Sequence, residues 1–290
     1  MITASLVNEL RKKTNAGMMD CKKALTETNG DLEAAVDYLR KKGIAKAAGK
    51  ADREASEGII AARLSDDGKS GILIEVNCET DFVSRNENFV TFVDTIADTL
   101  AGSDAKTLAE ALQVNVGDLT VEDFIKAKVI ELGENMQLRK FERFEMADNG
   151  AIAQYIHMGG KVGVLVEVSA DQGGTAAKEE FQSMIKDITL HIAAANPKGL
   201  SREDIPADVV EKEKEVFRGQ LANEAKPKPA EIIEKIIEGK IGKYFAESCL
   251  LEQAFVKDPD TTVGKLVETT GKQVGDALVV RRFVRFGLGE

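Results

Sequence analysis

The chain has 290 residues, 43% hydrophobic and 30% charged, with 39 Lys/Arg against 49 Asp/Glu and a formal net charge of −10. That length and apolar content suffice for about two domains with a sizeable core, and the acidic balance argues against nucleic acid as the main partner. No stretch approaches the roughly 20 apolar residues of a membrane span, and the start, Met1-Ile2-Thr3-Ala4-Ser5, lacks the basic-then-apolar layout of a secretory signal.

The first 43 residues predict three short helices. Ala4 to Lys13 places Leu6, Val7 and Leu10 on one face, and Thr14-Asn15-Ala16-Gly17 breaks it. Asp20 is expected to cap a second helix running through Leu25 and ended by Asn29-Gly30. Asp31 should cap a third, with Leu32, Ala35, Val36 and Leu39 inward and Gly43 as terminator. Met18-Met19 follows Gly17 and has two readings, a plug for the small bundle or an adaptable apolar contact. Residues 44–56 are small and charged and read as a tether. Residues 1–53 hold 11 Lys/Arg and 7 Asp/Glu, so a basic head precedes an acidic body.

Residues 57–146 and 147–290 read as two copies of one unit. Gly58, Ile60, Gly68, Lys69, Gly71 and Phe89 recur at an offset of 92 as Gly150, Ile152, Gly160, Lys161, Gly163 and Phe181. Gly133-Glu134 and Arg139-Lys140-Phe141 recur at an offset of 142 as Gly275-Asp276 and Arg281-Arg282-Phe283. Each copy predicts strand, tight turn, strand, helix and a closing strand (138–146 and 279–287), an antiparallel sheet backed by helices. The fold class expected is therefore α+β. The copies differ after their second strand: Thr80-Asp81-Phe82-Val83 faces Gln172-Gly173-Gly174-Thr175. A fold that needed an acidic-aromatic tip would keep it twice, so Asp81-Phe82 reads as a working part.

The second copy carries 50 extra residues at about 200–250. Val209 to Leu221 and Ala230 to Leu251 are amphipathic, joined by Lys226-Pro227-Lys228-Pro229. They predict a projecting helical hairpin. Its isoleucines, Ile232, Ile233, Ile236, Ile237 and Ile241, exceed what two arms should bury, so the insert reads as an assembly module.

Other constellations carry no chemistry. Asp67-Gly68-Lys69-Ser70 ends like a phosphate-binding loop, but Arg63 stands where that motif needs Gly, and a strand follows where it needs a helix. Gly159-Gly160-x-x-Gly163 precedes its strand, the reverse of a dinucleotide fingerprint. His157 and His191 have no counterpart in the other copy and read as surface or partner-contact residues. Cys21, Cys78 and Cys249 are widely spaced without ligand-spaced His, so a reducing, cytoplasmic compartment without disulfides or zinc is expected.

Thr80-Asp81-Phe82-Val83, the run Thr14-Asn15-Ala16-Gly17-Met18-Met19-Asp20-Cys21-Lys22-Lys23-Ala24-Leu25 and Gly133-Glu134-Asn135 together resemble the translation elongation factor Ts family over essentially the whole chain. The resemblance implies a head of ubiquitin-associated-domain type, a two-part core and a hairpin that mediates a homodimer. It implies guanine-nucleotide exchange on elongation factor Tu, with no cofactor, no covalent chemistry and no direct nucleic-acid or membrane contact. Asp81-Phe82 would enter the GTPase and displace its magnesium, with Thr80 and Val83 completing the motif. Met18, Met19 and Lys22 would contact the nucleotide-binding domain. Leu132, where the family has Ile, and His157, in a loop with altered glycines, would touch the partner as well. The competing reading is a non-catalytic adaptor that binds proteins through its helical head.

Overall fold

The computed structural model describes residues 2–14, 16–222 and 229–290. Asn15 of the expected first loop and residues 226–228 of the expected bend lie outside them.

The head comprises α1 (Ala4–Thr14), α2 (Met18–Glu27) and α3 (Leu32–Ala48). Val7, Leu10, Cys21, Ala24, Leu25 and Ala35 form its core. Two expectations need correction. Gly17, not Asp20, is the N-cap of α2; Asp20 lies in its first turn and pairs with Lys42 at 2.9 Å. Gly43 does not end α3, which runs to Ala48. An interior glycine costs a helix only about 1 kcal/mol, and the following Ala-Lys-Ala-Ala run favours helix. α3 also packs against a helix of the body, Val121–Leu132.

The first half comprises β1 (Glu57–Leu64), β2 (Ser70–Cys78), α4 (Asp81–Ser84), α5 (Glu87–Ala101), α6 (Leu108–Gln113), β3 (Asn115–Val116), β4 (Leu119–Thr120), α7 (Val121–Leu132) and β5 (Met136–Glu145). The second comprises β6 (Gly150–His157), β7 (Val162–Ala170), α8 (Glu179–Ala195), α9 (Ala207–Ala222), α10 (Ala230–Ser248), β8 (Ala254–Phe255), β9 (Asp258–Thr262), α11 (Val263–Val274) and β10 (Leu278–Gly287). The main sheets are antiparallel with orders β1-β2-β5 and β6-β7-β10. The chain is thus mixed helix and sheet, with its helical head at the N-terminal end.

α5 buries Phe89, Phe92, Val93, Ile96 and Leu100 on the first sheet; each such side chain contributes about 1.5–3 kcal/mol when fully buried. α8 does the same on the second with Phe181, Met184, Ile185, Ile188 and Ile192. The other faces of the two sheets meet each other through Ile60, Leu73, Phe144, Ile152, Leu165 and Phe286.

Contacts across that seam are reciprocal. Ile60 N donates to Gly160 O at 2.8 Å and Ile152 N to Gly68 O at 2.9 Å. Met146 N donates to Lys69 O and Leu288 N to Lys161 O, both at 2.9 Å. Gly71 and Gly163 let the sheets approach: a Cβ on Gly163 would lie 2.4 Å from Ile60 Cγ2 and 2.8 Å from Leu73 Cδ1, and one on Gly71 3.1 Å from Ile152 Cγ2. The Gly-Lys turns are therefore clasps between the halves, and Lys69 Nζ is occupied by Asp148 O at 2.6 Å and Gly150 O at 3.1 Å. Each closing strand bulges at the matching residue, Arg139 and Arg281. Beside each bulge an ion pair crosses the sheet, Glu75–Lys140 at 2.9 Å and Glu167–Arg282 at 2.7 Å.

The insert is a hairpin of α9 and α10. Ile237 and Ile241 are buried between the arms with Leu221, and Val210, Phe217, Ile233, Ile236 and Phe245 pack partly buried against them. Among the described residues only Val216 (53%) and Ile232 (47%) of its large apolar side chains are exposed. The surplus expected from the isoleucine count is therefore small, because α9 supplies more apolar surface than its Glu/Lys density suggests, and Lys240 covers the Phe217 ring.

His191 also departs from expectation. It is fully buried, its Nε2 2.8 Å from Gln253 Oε1 and its Nδ1 accepting from Val256 N at 3.2 Å. Burial pushes its pKa below the ordinary value. The folded protein thus favours the neutral ring, while the unfolded chain takes a proton below about pH 6.5. Stability should hold above that pH and decline as pH falls through the window beneath it. The urea midpoint of the native chain should drop between pH 7.5 and pH 5.5 by more than that of His191→Asn; equal drops in both proteins would show that His191 does not carry the effect.

Candidate functional site

The tip grows from the end of β2. Thr80 is extended and caps α4, its hydroxyl accepting from Val83 N at 3.4 Å. One helical turn is too short to hold itself, so its entry is tied down from outside. The Glu134 carboxylate accepts from Glu79 N at 3.1 Å, Thr80 N at 3.0 Å and the Thr80 hydroxyl at 2.6 Å. Gly133, left-handed at φ +83°, ends α7 and turns the chain so that Glu134 follows at once. Val83 packs into the core on the inner side of the turn. On the outer side Phe82 is 84% exposed, the most exposed large apolar side chain among the described residues. Asp81 beside it pairs with Arg85 at 3.1 Å. The arrangement is an aromatic ring and a carboxylate presented to solvent on a braced turn.

The second half keeps the brace and lacks the ring. Asp276 accepts from Asp171 N at 3.3 Å, Gln172 N at 3.1 Å and the Thr175 hydroxyl at 2.6 Å. The Thr175 hydroxyl and these amides hold the Asp276 carboxyl below its usual range. Glu134 and Asp276 are thus common scaffolding, and Asp81-Phe82 is the addition. Cys78, just before the tip, is buried, and desolvation with the nearby Glu134 and Glu57 carboxylates pushes its thiol up to about 12; it is no nucleophile at neutral pH.

Leu132 is half-buried at the end of α7, against the first-half core and two residues from Glu134. It belongs with the tip. His157 is exposed at the end of β6, Nδ1 2.9 Å from the Tyr155 hydroxyl. Its turn leans on β1 through Gly160 O and through Lys161–Glu57 at 2.6 Å, and Glu57 faces Cys78 in the sheet. Met158, which sequence reasoning passed over, is 73% exposed at φ +49° in this turn; an apolar residue before Gly159-Gly160 was the available signal. Met18 (53%) and Met19 (75%) are exposed in the first turn of α2, and Lys22 is exposed just past it, so the two methionines do not plug the bundle. The head reaches the tip through packed elements, α2 on α3 and α3 on α7. No group of three His, Cys, Asp or Glu among the described residues is arranged to hold a metal ion, and no helix among them is long and apolar enough to cross a membrane.

The family model described as elongation factor TS matches residues 79–290, from the tip to the last residue. The chain belongs to the elongation factor Ts family. It is similar to elongation factor Ts of Trichlorobacter lovleyi, 47% identical over 292 residues, which cover 100% of this chain and 93% of that protein. Elongation factor Ts of Clostridium botulinum (strain Alaska E43) is 47% identical over 291 residues, covering 100% and 94%. That of Halothermothrix orenii is 48% identical over 287 residues, covering 98% and 91%. The alignments with these elongation factor Ts proteins include the head, which the family model leaves out.

Proposed function

We propose that this chain is a guanine-nucleotide exchange factor for elongation factor Tu in translation elongation, acting without covalent chemistry. The observation that carries the reading is the 84% exposed Phe82 on a braced turn in a member of this family. Asp81-Phe82 enters the GTPase and displaces its magnesium. Removing the cation leaves the phosphates' charge unscreened and weakens nucleotide binding. A factor that prefers the empty GTPase must, by reciprocity, lower nucleotide affinity. Met18, Met19 and Lys22 on a head of ubiquitin-associated type, with Leu132 and His157, supply the remaining contacts. An adaptor that used the head alone would leave Phe82 without a role. Reciprocity also sets the test: mixed with GDP-loaded elongation factor Tu and gel-filtered without nucleotide, the chain should co-elute in a nucleotide-free complex that added GDP dissociates. Co-elution that GDP does not affect would favour the adaptor.

The hairpin is proposed as the homodimer module, with Val216 and Ile232 as its exposed apolar side chains. Its ends lie together: Lys198 N donates to Ser248 O at 2.8 Å and Leu250 N to Gly199 O at 2.9 Å. Replacing residues 201–247 by a short Gly/Ser loop should therefore leave both sheets folded and halve the mass seen by light scattering. An unchanged mass in a folded protein would remove the hairpin from any dimer.

A further inference from the structure

The segment between head and body is bolted to the tip's brace. Asn135, which is 6% exposed, donates from Nδ2 to Arg53 O at 2.8 Å and to Ala51 O at 3.2 Å. Its backbone N donates to Glu79 Oε1 at 2.6 Å, and Arg53 lies 3.5 Å from the same oxygen. Lys50 Nζ donates to Gly133 O. Three consecutive residues thus act together. Gly133 and Asn135 hold the chain arriving from the head, and Glu134 between them holds the entry to Phe82.

The second half shows which of these bonds the scaffold needs. Gly275-Asp276-Ala277 stands there, and Asp276 makes the same brace. The carbonyl of Gly275 is taken locally, by Gln172 Nε2 at 3.0 Å. Ala277 fills the place of Asn135. The asparagine therefore occurs only in the half that has both a head to hold and a tip to hold it to.

We propose that Asn135 is a positioning residue that sets the distance and orientation between the helical head and the Phe82 tip; the proposal rests on the exchange reading above. Two surfaces on one body bind a partner together at a high effective concentration only when their spacing is held, and ordering a loose linker at the moment of binding costs affinity. Loss of the amide removes the bonds to Ala51 O and Arg53 O and loosens residues 49–56, while Glu134 still holds the tip. Affinity for the partner falls, and the rate once bound does not.

The test compares Asn135→Ala, the residue its duplicate tolerates, and Asn135→Asp, which keeps the shape and removes both N–H donors. Stimulated GDP release from elongation factor Tu is titrated with each protein, and amide hydrogen exchange is followed over residues 49–56. Both variants should raise the half-saturating concentration by about tenfold, the scale of two neutral hydrogen bonds. The saturating rate should stay within about twofold, and exchange over 49–56 should quicken. An unchanged half-saturating concentration, or an Asn135→Asp that behaves as the native chain, overturns the proposal. So does a lower saturating rate with a lower melting temperature and no shift in half-saturation, which makes Asn135 part of the core alone. If the native chain fails to stimulate release, the exchange reading is lost, and the hydrogen-exchange comparison still decides whether Asn135 holds the linker.

Discussion

Phe82→Ala slows stimulated GDP release at saturating factor by roughly thirtyfold, the effect of losing a hot-spot aromatic worth about 2 kcal/mol. The fold does not depend on the ring. Phe82 is 84% exposed, and the turn is held from the other side by Thr80, Val83 and Glu134. The melting temperature of the variant should match that of the native chain. Its half-saturating concentration should move less than its rate, since the contacts proposed for the head and the second half are untouched. This is the opposite signature to that expected of Asn135, so the pair separates chemistry at the tip from spacing of the surfaces. A folded Phe82→Ala with native release kinetics would remove the wedge from the mechanism.

Gly58→Ala destabilises the first half by more than about 3 kcal/mol, beyond the ordinary range for a surface substitution. Gly58 is the second residue of β1, at φ +145°, and a Cβ there would lie 2.1 Å from Val76 O and 2.8 Å from Asn77 Cα. Both are backbone atoms of the central strand, so no rotamer change relieves the clash. Gly150 repeats the geometry at φ +127° with Val168 O at 2.1 Å, which explains why this glycine is in both copies. Gly117→Ala is the control: φ is +61°, but nothing lies within 4 Å of the new Cβ, and the left-handed backbone alone costs about 1 kcal/mol. Urea midpoints should rank native, Gly117→Ala, Gly58→Ala, with a wide second gap. Near-equal midpoints for the two variants would mean that the strand can shift to admit a Cβ.

The duplication was legible because its strongest residues are ones that only close packing explains. Gly71 and Gly163, Gly68-Lys69 and Gly160-Lys161 recur since each half clasps the other. The tip was legible through the same repeat, as a place where the second copy replaces an acidic-aromatic pair by Gly173-Gly174. What local pattern missed was decided by tertiary contact. Gly43 carries a helix-stop signal, yet α3 runs on to Ala48 and packs on α7. His191 sits on a helix face like any polar residue until Gln253 and the Val256 amide, more than 60 residues away in sequence, enclose it. The roles of Glu134 and Asn135 depend on bonds to residues 54 to 84 positions distant, which no local spacing encodes.

The exchange proposed for the Asp81-Phe82 tip empties elongation factor Tu of its nucleotide. Release of a fluorescent GDP from the purified GTPase, followed by stopped flow at millimolar magnesium with excess unlabelled GDP, measures it directly. The account predicts acceleration over spontaneous release by about a hundredfold or more, a barrier change of roughly 2.7 kcal/mol, saturating with the concentration of the chain. Release at the spontaneous rate, in the presence of a chain shown to bind the GTPase, would contradict it.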